Sequence, residues 1–149
     1  MDPGDLVYRL SEIPGQVSET VRGLPEEGLR RSFAGGWSVM DYVAHMAAAS
    51  RDYHAQIARL AGEEVEDEGA DADGDTQEIE ALLASLVLSR AKTIDILRDL
   101  DEEKWGRQGD VPGLGEVSLR ELVQYVASHE GDHVSTLRGL RRKAESATL

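Results

Sequence analysis

The amino-acid sequence predicts an all-α fold, a four-helix bundle built from a single domain that covers residues 1–149. Four segments repeat apolar residues at spacings of three and four, which is the period of an amphipathic helix. No segment shows the strict apolar–polar alternation of a half-buried strand. Because 149 residues suit one domain with a sizeable core, four packed helices are the simplest arrangement.

The first helix is predicted from about Pro14 to Arg22. Its apolar stripe also extends upstream of this range and consists of Leu6, Leu10, Ile13, Val17 and Val21. Proline is tolerated in the first turn of a helix but breaks the interior of one. We therefore expect the residues before Pro14 to form a short turn or a kinked extension.

The second helix is predicted over residues 39–60. Ser38-Val39-Met40-Asp41 resembles a capping box in which the shorter Asp replaces Glu, so Ser38 is expected to cap the first turn. The predicted buried face consists of Val39, Tyr42, Val43, Met46, Tyr53, Ile57 and Leu60.

The third and fourth helices are predicted over residues 76–100 and 119–142, each after a capping box that begins at Asp75 or Ser118. Arg90 interrupts the apolar stripe of the third helix, and we expect its side chain to extend outward to solvent. A connector over residues 101–117 joins the two helices. Each connector in the chain is long enough to cross a bundle, so connector length leaves the topology open.

The segment over residues 61–75 carries eight acidic residues and no basic one, which predicts a solvated, mobile loop. Asp71, Asp73 and Asp75 have the spacing that begins a calcium loop. However, Thr76 stands where that loop needs glycine and Leu82 where it needs a bidentate Glu. Calcium binding is therefore not expected.

Composition excludes several functional classes. A net charge of −13 opposes binding to nucleic acid or to anionic membranes. The chain has no cysteine, so a metal site would have to use histidine and carboxylate ligands. No apolar run reaches 18 residues, and the acidic start lacks the features of a secretory signal, so we expect a cytoplasmic protein.

His129 and His133 are the strongest candidates for chemistry. At a spacing of four on a helix they point the same way, and one metal ion can bind both. They interrupt an apolar face, where two unpartnered imidazoles would cost several kcal/mol. A third ligand could come from His45 or His54 on the second helix, and helical projection does not choose between them.

Glu130 completes an H-E-x-x-H pattern with these histidines and is our candidate catalytic residue, as a general base or an orienter near the metal. The alternative is a structural partner for an arginine or a histidine N–H. A zinc protease is not favoured, because only 16 residues follow His133 and no strand-rich subdomain is visible. A di-iron bundle needs two E-x-x-H motifs, and the chain has one.

Three segments together resemble the DinB-like (YfiT-type) superfamily, a group of bacterial proteins regarded as metalloenzymes. They are Gly36-Trp37-Ser38 followed by His45, the stretch Gly113 to Leu119, and His129-x-x-x-His133. The resemblance covers nearly the whole chain. It implies a four-helix bundle with one long crossover connection, which we expect at residues 61–75. It also implies a homodimer, since bundles of this family often pair.

The resemblance further implies one divalent metal ion, commonly zinc or nickel, held by His45, His129 and His133. His54 matches no ligand position of the family. Three protein ligands leave an open coordination position, which is typical of a catalytic site. We expect a metal-dependent transferase, isomerase or hydrolase that activates a small thiol, such as mycothiol, or water toward a small-molecule substrate. The alternative is a non-catalytic, metal-stabilised binding or stress-response module.

Overall fold

The computed structural model describes residues 2–64 and 78–147, which form four long helices, two short helices and one β-hairpin. The long helices are α1 (Pro3–Val21), α3 (Val39–Ala61), α4 (Ile79–Arg98) and α6 (Leu119–Ala147). The short elements are α2 (Glu26–Arg30), α5 (Glu102–Trp105), β1 (Gln108–Val111) and β2 (Gly115–Ser118). The predicted all-α fold is therefore confirmed, with the hairpin as an addition. Among the residues that the structure describes, none of the helices combines the length and the apolar character of a membrane span.

The four long helices form a bundle in which α6 and α4 each lie between α1 and α3. Helices α3 and α4 are parallel, because Ser50 contacts Ser89 and, one turn further along both helices, His54 contacts Thr93. The end of α3 and the start of α4 consequently lie at opposite ends of the bundle, as the predicted crossover requires. Residues 65–77, which hold most of the predicted acidic loop and the start of the Asp75 capping box, lie outside the described residues.

Helix α1 is longer than predicted, because Pro14 lies inside it and does not begin it. Asp2 caps the helix by accepting from Asp5 N at 2.9 Å, and Pro3 occupies the first turn. Pro14 has no N–H to donate to the carbonyl of Leu10, one turn earlier. The Arg90 guanidinium donates to that carbonyl at 2.9 Å instead, so the interior proline is tolerated.

Arg90 corrects a second prediction, since its side chain points inward and is 3% exposed. The core consists of two apolar clusters, one at each end of the bundle. On every long helix the two clusters are separated by a short interval, and Ser50, Ser89, Arg90 and Glu130 occupy these intervals on α3, α4 and α6. A buried polar layer therefore divides the apolar core.

The connector predicted over residues 101–117 contains α5 and, except for its last residue Ser118, the antiparallel hairpin of β1 and β2. Gln108 pairs with Ser118 and Val111 with Gly115. The strands are only four residues long, too short for a clear alternation of apolar and polar residues. The signal that was missed is Pro112-Gly113, whose glycine has φ +85°, as the second central position of a type II turn requires.

Candidate metal centre

Two capping boxes place the three predicted ligands. Ser38 accepts from Asp41 N while the Asp41 carboxylate accepts from Ser38 N, which sets the start of α3 at Val39, six residues before His45. Ser118 and Glu121 make the same reciprocal pair at the start of α6. Both predicted caps are confirmed.

The packing of α3 against α6 brings these histidines together. The two helices are antiparallel, because His45 contacts His133 while Tyr53, eight residues later, contacts Tyr125, eight residues earlier. His45 therefore faces the pair of imidazoles that α6 presents one turn apart.

The nitrogens of His45, His129 and His133 that could bind a metal ion all lie within 4.8 Å of one another. The Nε2 atoms of His129 and His133 are 3.1 Å apart. Two nitrogens held by one tetrahedral zinc ion at its usual bond length would be about 3.3 Å apart. The donor set thus fits a divalent ion after small side-chain rotations. Among the described residues, these histidines are the one group of three or more histidines or carboxylates whose ligand atoms all lie within 4.8 Å of one another.

The electrostatic environment of His133 favours its neutral form. Burial lowers the pKa of His133 below its ordinary value, and His129 and His45 lower it further because a second positive charge beside them is unfavourable. Asp132 opposes this shift. Because only an unprotonated imidazole nitrogen can bind a metal ion, the lowered pKa suits a ligand.

Aromatic rings surround the three imidazoles. Tyr125 stacks on His129 with ring centroids 5.4 Å apart and an angle of 12° between the ring planes. Trp37 contacts His45 at 5.0 Å, and Tyr42 contacts His133 at 5.7 Å. Trp37 is 47% exposed and Tyr125 39%, so these rings form the rim of the site. The helical stripe assigned Tyr42 to the buried face and left Tyr125 out, since periodicity does not distinguish a core position from the rim of a site.

Glu130 lies beside the histidines in sequence but within the buried polar layer. Its side chain is 1% exposed, and Arg90 Nη2 donates to both carboxylate oxygens, at 2.6 and 2.7 Å. Burial raises the pKa of the Glu130 carboxyl, and the Arg90 guanidinium opposes that shift. These contacts support the alternative of a structural partner for an arginine. The catalytic role of Glu130 stays a prediction.

His54, the other candidate for the third ligand, belongs to a different set of contacts. Its Nδ1 lies 2.9 Å from the hydroxyl of Thr93 on α4, and it is not in the three-histidine group. The side of α3 that faces α4 therefore holds His54, while the side that faces α6 holds His45. Only the packing of the helices makes this distinction.

Comparisons with known proteins agree with this fold. The family model of the DinB superfamily matches residues 9–137. The solved structure of YfiT from Bacillus subtilis superimposes with a TM-score of 0.78 at 22% identity, covering 95% of this chain and 86% of that chain. YfiT is described as a probable metal-dependent hydrolase with an unusual four-helix bundle topology. None of the curated proteins matches the chain. Because the family model spans most of the sequence, the chain belongs to the DinB superfamily.

Proposed function

We propose that this protein is a divalent-metal-dependent enzyme that hydrolyses a small molecule at the site formed by His45, His129 and His133. The observation that carries this proposal is the approach of three imidazole nitrogens to within 4.8 Å. Three protein ligands leave one position of a tetrahedral ion open for chemistry. The description of YfiT as a probable metal-dependent hydrolase supports hydrolysis as the reaction.

The ligand set determines what kind of nucleophile the site favours. A divalent ion there would supply Lewis-acid chemistry and lower the pKa of a water or a small thiol. Three histidines are neutral ligands, so they leave the charge of the ion uncompensated and favour an anion at the open position. Thiol transfer or isomerisation with a low-molecular-weight thiol such as mycothiol is therefore our second candidate.

The residues around the ligands hold them for this task. The stacked Tyr125 ring restricts rotation of the His129 imidazole, and Trp37 does the same for His45. We propose zinc or nickel as the ion, because imidazole nitrogen suits both metals.

The test begins with the metal content of purified protein, measured for wild type, His133→Ala and His54→Ala. Hydrolysis of 4-nitrophenyl acetate is then followed before and after removal of metal. In parallel, conjugation of mycothiol to 1-chloro-2,4-dinitrobenzene reports on thiol chemistry. We expect one ion per chain and metal-dependent hydrolysis in the wild type, loss of both in His133→Ala, and retention of both in His54→Ala.

Each outcome has a definite meaning. Metal-dependent conjugation without hydrolysis would favour the thiol candidate. Bound metal whose loss changes only thermal stability would favour the non-catalytic module. If no divalent ion is recovered and none can be added back, the metal-dependent function is wrong.

We also propose a cytoplasmic protein that pairs as a homodimer and binds neither nucleic acid nor membranes. The net charge of −13 supports the absence of anionic partners. Exposed Val87 and Leu88 on α4 support a self-association surface. Light scattering of wild type and Leu88→Asp tests the dimer, which we expect the variant to weaken.

A further inference from the structure

A small cavity lies beside the three histidines, between α3, α6 and the hairpin. Its volume is about 210 Å³. The walls include Asp52, Tyr53 and Gln56 from α3, Tyr125 from α6, and the hairpin turn over residues 111–114. We call it the Tyr53–Tyr125 pocket. A water molecule occupies about 30 Å³ in the liquid, so the pocket can hold a group of several heavy atoms.

Tyr125 joins the pocket to the candidate metal centre. Its ring stacks on His129 and also lines the cavity. The ring of Tyr53 meets that of Tyr125 at 77°, with centroids 6.4 Å apart. Two rings at nearly a right angle form a corner in which one bound group can contact both rings.

The lining of the corner includes an acidic side chain, whereas the nearby Arg59 guanidinium lies outside the lining and donates to Gln56 Oε1 and to the Asp110 carbonyl. Among the residues described as its lining, Asp52 carries a negative charge and none carries a positive one. Burial raises the pKa of Tyr53 to about 12, and the carboxylates of Glu130 and Asp52 add to the rise. The Tyr53 phenol therefore stays neutral, and the carboxylates of Glu130 and Asp52 make its surroundings unfavourable to a further negative charge.

The hairpin holds the open side of the pocket in place. Arg59 donates to the carbonyl of Asp110 at 2.7 Å and to Gln56 Oε1 at 2.6 Å, which ties β1 to α3. A Cβ at position 109 would lie 3.1 Å from Leu60 Cδ1, so Gly109 permits a close approach of the hairpin to α3. The pocket wall is thus built by rigid packing, as a binding site needs.

We propose that the Tyr53–Tyr125 pocket binds the ammonium group of a cationic substrate, whose other end reaches the three histidines. Aromatic faces and a carboxylate are the groups that recognise an alkylammonium ion through cation–π and ionic contacts. The role as a substrate subsite rests on the proposed function, whereas the affinity for ammonium ions does not.

The test compares three probes of one shape by titration calorimetry. Choline carries a positive charge, 3,3-dimethylbutan-1-ol is its neutral isostere, and 3,3-dimethylbutanoate is a negative analogue. We expect choline to bind roughly tenfold more tightly than the alcohol, and the alcohol more tightly than the carboxylate.

Two charge-neutralising variants locate the binding. In Asp52→Asn, the preference for choline over the alcohol should fall from about tenfold to about two- to threefold. The remaining preference is the part that the two aromatic rings contribute. Asp95→Asn, which removes an exposed carboxylate on α4, should leave the ratio unchanged. Equal affinity for choline and the alcohol in the wild type, or equal ratios in the two variants, would overturn the proposal. The absence of saturable binding of any probe below about 10 mM would overturn it as well.

The same samples are titrated with and without added Zn²⁺, and their metal content is measured. If the protein binds metal but not choline, the proposed role of the pocket is wrong and the proposed metal-dependent function is not contradicted. Choline binding by a protein that retains no divalent ion supports the pocket and contradicts the proposed metal-dependent function.

Discussion

Two neighbouring residues of α6, His129 and Glu130, belong to regions with opposite properties. His129 lies in the three-histidine site, where nitrogens of three imidazoles converge under an exposed aromatic rim. Glu130 lies in the buried polar layer, where Arg90 pairs with both of its oxygens. Within the structure described, no buried polar side-chain atom lacks a hydrogen-bond partner.

This difference indicates what each region is suited to do. Atoms that are already paired inside the protein stabilise the fold and are poorly placed to bind a ligand. The imidazole nitrogens of the site converge on one another, so only small rotations within the aromatic rim would be needed to place them around an ion. The predictions below test this separation between the buried polar layer and the candidate metal centre.

The largest effect is expected from Glu130→Ala, which leaves the Arg90 guanidinium buried without its carboxylate. Breaking one side of such a pair should lower the free energy of unfolding by about 3–5 kcal/mol. Urea denaturation followed by circular dichroism measures this. The double variant Arg90→Met/Glu130→Leu, which removes both charges, should recover most of the loss. A loss below about 1 kcal/mol in Glu130→Ala would show that the ion pair with Arg90 contributes little to stability, and would favour a catalytic role for Glu130.

The second prediction concerns His133→Ala. Mutation of a residue that only orients a ligand typically weakens metal binding 10- to 100-fold, so loss of the ligand itself should weaken Zn²⁺ binding by more than about 100-fold. The stability of the metal-free protein should change by less than about 1 kcal/mol, because His133 is only partly buried. Competition with a chromophoric chelator measures the affinity. Zinc affinity close to that of the wild type would show that His133 is not a ligand.

Pro14→Ala tests whether Arg90 satisfies the Leu10 carbonyl. In the wild type the carbonyl already has a donor, so restoring the helical N–H should stabilise the protein by less than about 1 kcal/mol. In the Arg90→Met/Glu130→Leu background the same substitution should be more favourable by about 1 kcal/mol, because it then supplies the missing donor. Four urea denaturation curves complete the cycle. Equal effects in the two backgrounds would contradict the assigned contact.

The smallest effect on zinc affinity is expected from His54→Ala. Loss of its hydrogen bond to Thr93 should cost about 0.5–1.5 kcal/mol in the free energy of unfolding. Zinc affinity should match that of the wild type within a factor of two or so. Calorimetry measures the Zn²⁺ affinity of this variant. A large loss of affinity would indicate that His54 is a metal ligand.

The sequence predicted the helices best where a local pattern carries the information. The capping boxes at Ser38 and Ser118 set the starts of α3 and α6, because a cap depends on residues within one turn. The prediction failed at Pro14 because the donor that replaces its missing N–H is Arg90, far away in the sequence. It failed at the hairpin because strands of four residues show too little alternation.

The sequence by itself determined the periodic faces of the four helices and the spacing that puts His129 and His133 on one side of α6. Both follow from the fixed rise and rotation of a helix. Only the tertiary structure decided that His45 faces this pair while His54 faces Thr93, and that Arg90 points inward to Glu130. These distinctions depend on which helices are neighbours and in which direction they run. That arrangement is determined by packing between residues distant in the chain.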